Sequence, residues 1–548
     1  MNRSRLFISI VASFAAGLAA APVASACTNI LVTKGATKDG SVIITYTCDG
    51  EFHPTLRITP AADHKPGDVY EVKSWGSKVY GAIPQPAHTY AVVGLINEHQ
   101  LAISETTYGG REELYNPDGL LHYWDLMQLA LQRAKTAREA IKVMTDLVDE
   151  YGYRSPGESI SIADTNEAWI LEIIGKGPGR KGAAWVALRV PDGYVSCHAN
   201  KARISTFPRE DTENCLYSGD VIEFAIEKGY YDPKSGEPFS YCEAFCPTTP
   251  TNNRYADTRV WSILRRTAPS LNLSSDYHRA VEGAKPYPLW VKPDEKLGMA
   301  DVMALMRDHY EGTDFDMTKG IDAGPYGSPL RTRPMGWTSG GVEHTWERPI
   351  STQQTGFSFI SQSRGHLPDP VGGVYWYGVD DTAMTCWVPF YCSADALPRS
   401  YTVGGMSQFT WDSIFWNFNF VSNFAHLKYS HMIKDIQAVQ GELEGKFLAL
   451  QPAVEKTAVE LLKTDPGLAR RYLTDYSVSQ GDLVARRWRE LGETLIRKYN
   501  DGYIQHKPGD PSEGGYPQEW LDTVKRNRPG QFVIPEKKHD KPESKLVD

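Results

Sequence analysis

The stretch C-T-N-I-L-V-T-K-G-A-T-K-D-G-S-V-I-I-T-Y-T-C-D-G, Cys27 to Gly50, decides the fold. Thr28 to Thr33 is short and β-branched, Lys34 to Gly40 carries turn residues, and Ser41 to Tyr46 is β-rich again. That order predicts a hairpin. What lies in front of it gives the cysteine its interest. Arg3 and Arg5 make a basic start, Leu6 to Ala20 is apolar or small throughout, and Pro22 precedes Ala24-Ser25-Ala26. This is the layout of a secretory signal, and it predicts that residues 1–26 are removed and that Cys27 becomes the first residue. The apolar run falls short of the ~20 residues that a spanning helix needs.

A chain-terminal cysteine carries two reactive groups on one residue. Its thiol is a nucleophile, and its free α-amine, with an ordinary pKa of about 7.7–8, can take the proton that the thiol gives up. Acylation of Cys27 would block both groups. Lipid-modified cysteines usually follow a leucine three positions earlier, where this chain has Ala24.

Working outward, Tyr90–Ile96 and Leu101–Thr107 flank N-E-H-Q and read as a second hairpin. Residues 123–151 place Leu126, Leu129, Ala130, Ala134, Ala140, Ile141, Met144, Leu147 and Val148 at helical spacing, enough for one or two helices. Strand patterns return over Ser159–Ala163, Ala168–Ile174, Ala183–Val190 and Tyr194–His198. Residues 205–345 are irregular, with helical pieces near Ser218–Lys228 and Ala300–His309, and residues 350–405 read as strand. Residues 411–499 are helical. Strands, then helices, then strands argue for an α+β chain with antiparallel sheets. The expected divisions are a signal (1–26), a catalytic domain (27–410), a helical segment packed on it (411–505) and a charged, partly disordered tail (506–548) containing K-K-H-D-K-P-E-S-K.

Composition narrows the function. The formal charge of −9 becomes about −11 without Arg3 and Arg5, which argues against nucleic acid or an anionic membrane as partner. No later segment is long and apolar enough to span a membrane. Eight cysteines in an exported chain suggest disulfides, with Cys242/Cys246 and Cys386/Cys392 near in sequence. No zinc-ribbon spacing and no H-E-x-x-H occur, so neither a metal nor a cofactor is expected. G-P-G-R-K-G, Gly177 to Gly182, matches G-x-G-x-x-G but precedes a strand rather than a helix, so it reads as a hairpin turn. Asp314, Asp316 and Asp322 lack calcium-loop spacing and read as solvated loop carboxylates. No G-x-S-x-G is present.

Six segments add a resemblance. Besides Cys27–Gly50 they include G-L-I-N-E-H-Q-L-A-I-S-E-T-T-Y-G-G (Gly94–Gly110), S-I-A-D-T-N-E-A-W-I-L-E-I (Ser161–Ile173) and C-H-A-N-K-A-R-I (Cys197–Ile204). E-G-T-D-F-D-M-T-K-G (Glu311–Gly320) and L-P-D-P-V-G-G-V-Y-W-Y-G-V-D-D (Leu367–Asp381) follow in order. Together they resemble the N-terminal-nucleophile cysteine dipeptidases, the group of dipeptidase A and the secernins. The resemblance implies a four-layer αββα sandwich with an added C-terminal helical segment, and hydrolysis of dipeptides in the bacterial periplasm or outside the cell. It implies Cys27 as nucleophile, Asp49 as the carboxylate that holds amine and thiol in register, and Asn200 as an oxyanion donor beside the backbone N–H near Thr107. The wider superfamily has an Arg just before that Asp, where this chain has Tyr46 and Thr47. Arg331 resembles a later superfamily Arg, with a salt-bridged surface role as its alternative. Glu105, in S-E-T-T, is a candidate grip for a substrate amine or a structural hydrogen-bonding residue. An N-acyl amide hydrolase of the penicillin or bile-salt acylase type, or a non-catalytic protein lipid-anchored at Cys27, are the alternative functions.

Overall fold

The computed structural model describes residues 26–74, 76–507 and 510–535. The expected signal, Ala26 apart, and the segment Lys537–Lys545 lie outside the described residues.

The chain enters through β1 (Ala26–Val32) and β2 (Val42–Asp49), passes the short strands β3 (Ile58–Thr59), β4 (Val92–Val93) and β5 (Ile96–Asn97), and reaches β6 (Ala102–Gly109). Helices α1 (Tyr123–Arg133) and α2 (Ala137–Tyr151) follow, then β7 (Gly157–Ala163), β8 (Ala168–Gly175), β9 (Ala183–Arg189) and β10 (Val195–His198). After β11 (Cys215–Tyr217), α3 (Thr258–Thr267) and β12 (Trp290–Val291), strands β13 (Thr355–Ser363), β14 (Val374–Val379) and β15 (Val388–Tyr391) complete the large sheets. Helices α4 (Ile414–Ala425), α5 (Tyr429–Leu462) and α6 (Pro466–Tyr499) come next. Smaller elements connect these.

Two antiparallel sheets result. One has seven strands in the order β12-β10-β1-β2-β13-β14-β15, the other eight in the order β11-β9-β8-β7-β6-β5-β4-β3. They pack on each other through β1 and β2 against β6 and β7. The join is polar as well as apolar. Asn29 places its amide 2.7 Å from Ser104 Oγ and 3.1 Å from Ser161 Oγ. The ring nitrogens of His198 lie 2.7 Å from Thr106 Oγ1 and 2.7 Å from Ser161 Oγ. All of these side chains are buried. Burial pushes His198 down to about 3, so it is neutral and fully occupied by hydroxyls.

The helical period over 123–151 resolves into two helices because Thr136 caps α2, accepting a hydrogen bond from Glu139 N at 3.3 Å. Each of the nine apolar positions read from that period is buried. G-P-G-R-K-G turns between β8 and β9, with Gly177, Gly179 and Gly182 at φ of 89°, 73° and 81°. A turn in the left-handed region needs glycine there, and no helix follows. Helices α1 and α2 pack on the eight-stranded sheet. Helix α3 lies on β10, α4 on β14, and α5 and α6 on β15. Ion pairs tie α5 down: half-buried Arg307 to buried Glu444 at 2.7 Å, and buried Arg364 to Glu455 at 2.5 Å. In α6, Gly481 lets the helix approach closely, since a Cβ there would meet Pro398 Cγ at 2.4 Å. Trp488 of α6 stacks on Phe418 of α4 with centroids 4.3 Å apart.

Part of the region after residue 505 is ordered into a strand pair, Tyr503–Lys507 with Asp510–Glu513, and a helix, Gln518–Asn527. Tyr326 anchors this part, its hydroxyl donating to Gly515 O at 3.0 Å. The disulfide expectation is not met at the four cysteines singled out. Cys242 and Cys246 lie one helical turn apart, with their sulfurs on Ser240 Oγ and Tyr108 O respectively. Cys386 is buried at one end of β15, and at the other end Cys392 donates to Asp369 O at 3.2 Å. Asp316 and Asp322 are engaged by their own loop, the first by Gly312 N and Thr318 N, the second by Arg331.

Candidate active site

Cys27 sits on β1 opposite Cys48 of β2, and Cys48 sits opposite Phe357 of β13. Residues directly opposite in an antiparallel pair share a face, so the three side chains line one row, on the face where Asn29 meets the second sheet. Ala26 pairs with Asp49. The carboxylate at the end of β2 thus lies across from the residue that precedes Cys27.

The backbone N–H of Cys27 donates to Asn200 Oδ1 at 3.0 Å. Asn200 also accepts from Arg259 Nη2 at 2.9 Å and donates from Nδ2 to Thr107 O at 2.7 Å. A guanidinium on one side and a carbonyl on the other fix which end of the amide faces Cys27: the oxygen. Asn200 thus meets Cys27 N as an acceptor and directs its NH2 to Thr107 O. Thr107 contributes its carbonyl here, and its hydroxyl donates to Glu158 Oε1 at 3.0 Å. Asn200 has φ of 61°, a left-handed conformation in which Asn is several-fold enriched.

Asp49 is 1% exposed and richly held. Oδ1 accepts from Thr355 Oγ1 at 2.6 Å, and Oδ2 accepts from Thr47 Oγ1 at 3.1 Å and Arg348 Nη2 at 2.7 Å. Burial alone would lower the pKa of Arg348, but Tyr255 and Asp49 beside it leave it raised. Arg259, on α3, is fully buried and donates to Cys27 O at 2.7 Å and Thr28 Oγ1 at 3.0 Å. Burial and the neighbouring Arg348 charge pull it down to about 10, still protonated at neutral pH. These two guanidiniums, rather than Arg331, stand beside Cys27 and Asp49. Arg331 instead holds its own loop, donating to Met317 O, Ser328 O and Leu330 O and pairing with Asp322. No motif marks Arg259 or Arg348. They reach Cys27 and Asp49 from sequence separations of 232 and 299 residues.

Glu105, on β6, places Oε1 3.7 Å from Cys27 Sγ and accepts from the Tyr46 hydroxyl, which lies 3.9 Å from the same sulfur. Tyr46 and Glu105 are both 0% exposed. Burial, the contact with Cys48 and the nearby Glu105 charge push the Cys27 thiol well above its ordinary value. Burial likewise raises Glu105. The sulfur therefore rests as a thiol. His198, two residues before Asn200, has both ring nitrogens on hydroxyls, those of Thr106 and Ser161.

A cleft of about 630 Å³ is lined by Phe52, Trp124, Phe357, Tyr375 and Tyr377. Phe357 meets Tyr46 edge-on at 5.6 Å. Among the described residues no cluster of His, Cys, Asp and Glu is arranged to hold a metal ion, and no helix is long and apolar enough to cross a membrane.

Comparison with known proteins adds an independent line. The chain is 28% identical over 403 residues to a protein of Latilactobacillus sakei described as "Probable dipeptidase", covering 69% of this chain and 76% of that one. It is 27% identical over 386 residues to a "Probable dipeptidase" of Salmonella dublin, covering 67% and 81%. It is 27% identical over 437 residues to a "Dipeptidase" of Bifidobacterium longum, covering 71% and 75%. The model of peptidase family C69 matches residues 65–442, which contain Glu105, Thr107, Asn200, Arg259, Arg331 and Arg348 but leave Cys27 and Asp49 outside. By that match over most of its length, the chain belongs to peptidase family C69.

Proposed function

We propose that the protein is an exported cysteine dipeptidase that becomes active when residues 1–26 are removed, with the Cys27 thiol as nucleophile and its own α-amine as base. One observation carries the reading: the nitrogen of Cys27 is held at 3.0 Å by a side-chain acceptor, Asn200 Oδ1, beside a buried sulfur. Once Ala26 is gone that nitrogen is an amine. An N–H kept on Asn200 orients its lone pair toward the thiol proton. The layering of helices, two facing sheets and helices supports an N-terminal-nucleophile hydrolase sandwich over 27–410, with 411–505 packed on it.

The chemistry then balances. The α-amine takes the Sγ proton as sulfur attacks the scissile carbonyl, and the C–S bond forms as the carbonyl oxygen becomes an oxyanion. Arg259, a buried cation on Cys27 O, favours negative charge at this point. The C–N bond breaks as the α-ammonium returns its proton to the leaving amine. Water, deprotonated by the same amine, cleaves the thioester and restores the thiol. Asp49, Arg348 and Thr355 hold the end of β2 against the amine side of Cys27. The dipeptidase names of the relatives support the substrate class.

The test is direct. The exported protein should start at Cys27 by intact mass and hydrolyse free dipeptides, and Cys27→Ala should not. A mature start elsewhere, or a lipid adduct on Cys27, contradicts the reading.

A further inference from the structure

Glu158 is a second buried carboxyl group beside the nucleophile, with no place in the mechanism above. It lies on β7 opposite Thr107, on the same face as Glu105, whose cross-strand partner is Ile160. Its Oε1 accepts from Thr107 Oγ1 at 3.0 Å and Ser155 Oγ at 3.4 Å. The Glu105 and Glu158 side chains face each other, and burial raises both carboxyl groups. Both residues are 0% exposed, and beyond that mutual contact Oε2 of each finds no donor among the described residues. Two facing carboxyl groups need at least one proton between them, so the pair carries at most one negative charge. Among the described residues no lysine, arginine or histidine forms an ion pair with either one. Their titratable neighbours are Cys27, Tyr46, Asp49, Tyr123 and Tyr153, neutral or acidic groups. A buried charge without a cation is costly, and apart from the Cys27 α-amine that processing would free, itself held by Asn200, the described residues bring no cation to the pair.

We propose that Glu105 and Glu158 together form the receptor for the α-ammonium group of the substrate, so that the enzyme cleaves only the peptide bond next to a free amino terminus. This deepens the dipeptidase reading and rests on it. The distances close. In an amino acid the α-nitrogen lies about 2.5 Å from its carbonyl carbon. An ammonium about 2.8 Å from Glu105 Oε1, which is 3.7 Å from Sγ, can set that carbon about 3–3.5 Å from the sulfur. The ammonium supplies three donors and the positive charge that the pair lacks. An N-acylated or des-amino substrate leaves the carboxyl groups buried without that charge.

The experiment compares kcat/KM for a dipeptide and for its des-amino analogue, in which hydrogen replaces the ammonium. It uses the mature wild-type protein and the E105Q and E158Q variants. The wild type should favour the dipeptide by about thirty-fold or more, as for loss of a partner to a buried charge. That ratio should fall toward one in E105Q and fall in part in E158Q, mainly through KM. A ratio unchanged in both variants would make the pair a scaffold. An equal fall in kcat on both substrates would make Glu105 the base. Either result overturns the proposal. Equal wild-type turnover of the two substrates overturns it with no variant needed, even if E105Q fails to fold. Turnover of neither substrate overturns the dipeptidase reading along with it.

Discussion

Arg348 and Asp49, 299 residues apart in the chain, meet as an ion pair 2.7 Å long with each side chain only 1% exposed. The pair stands at the end of β2, where Asp49 lies across from the residue before Cys27. Removing one member of a buried pair is strongly destabilising, by about 3–5 kcal/mol. Arg348→Met should therefore lower the free energy of unfolding by that much, read as a lower urea midpoint with an unchanged slope. Adding Asp49→Asn should recover part of the loss. A cost under about 1 kcal/mol would mean that the pair is not sealed from water.

Asn200 should separate positioning from binding. Asn200→Ala removes the acceptor on Cys27 N and puts alanine at a φ of 61°, so both kcat and thermal stability should fall. Asn200→Asp suits that backbone and keeps an oxygen toward Cys27, but turns another against Thr107 O. It should melt closer to the wild type while kcat still drops about 100-fold, as expected for a small misplacement of reacting groups. A change confined to KM in both variants would place Asn200 in substrate binding instead.

Asp380 gives a stability signature in pH. Burial pushes its carboxyl up to about 7 despite a hydrogen bond from Ser422 of α4. A carboxyl raised in the folded state keeps a proton that the unfolded chain has lost from about pH 4 upward. Stability contributed by this group therefore falls as pH rises from about 4 to 7, and the full penalty stands above 7. Its size is on the order of 4 kcal/mol. Asp380→Asn should gain melting temperature over the wild type progressively across that window. A difference that stays flat with pH would show that Asp380 titrates normally.

Legibility of the sequence followed locality. The β1–β2 hairpin, the glycine turn at Gly177–Gly182 and the capped pair α1–α2 depend on neighbouring residues, and the pattern exposed each of them. Cys27 drew notice through its position alone. Asp49, Asn200 and Glu105 came by resemblance, and the fold brings all three to Cys27 or to the residue before it. Arg259, Arg348 and Glu158 escaped because nothing within a few residues marks a buried charge whose partner arrives from another strand or helix. Arg331 stood out for the same reason: an arginine in a loop looks alike whether it meets a carboxylate from a distant strand or its own turn. Which end of the Asn200 amide faces Cys27 N was not legible, since it depends on Arg259 and Thr107 O.

The thiol offers a simple control. Cys27→Ala should abolish dipeptide hydrolysis while leaving the melting temperature near that of the wild type, since the sulfur is needed for chemistry. Cys27→Ser should keep at most a trace, because a hydroxyl is a poorer nucleophile at neutral pH. Full turnover in the alanine variant would remove Cys27 from the mechanism.

The α-amine is the central claim, and one residue tests it. The protein is made without its signal in two forms, one starting at Cys27 and one with a single residue left before it. Thiol, Glu105 and fold stay the same, but in the longer form the nitrogen 3.0 Å from Asn200 Oδ1 is an amide that accepts no proton at pH 7. Dipeptide hydrolysis is measured on both, with each amino terminus checked by mass after the assay. The form starting at Cys27 should be active and the extended form nearly inert. Equal rates with the extra residue still attached would contradict the α-amine as base.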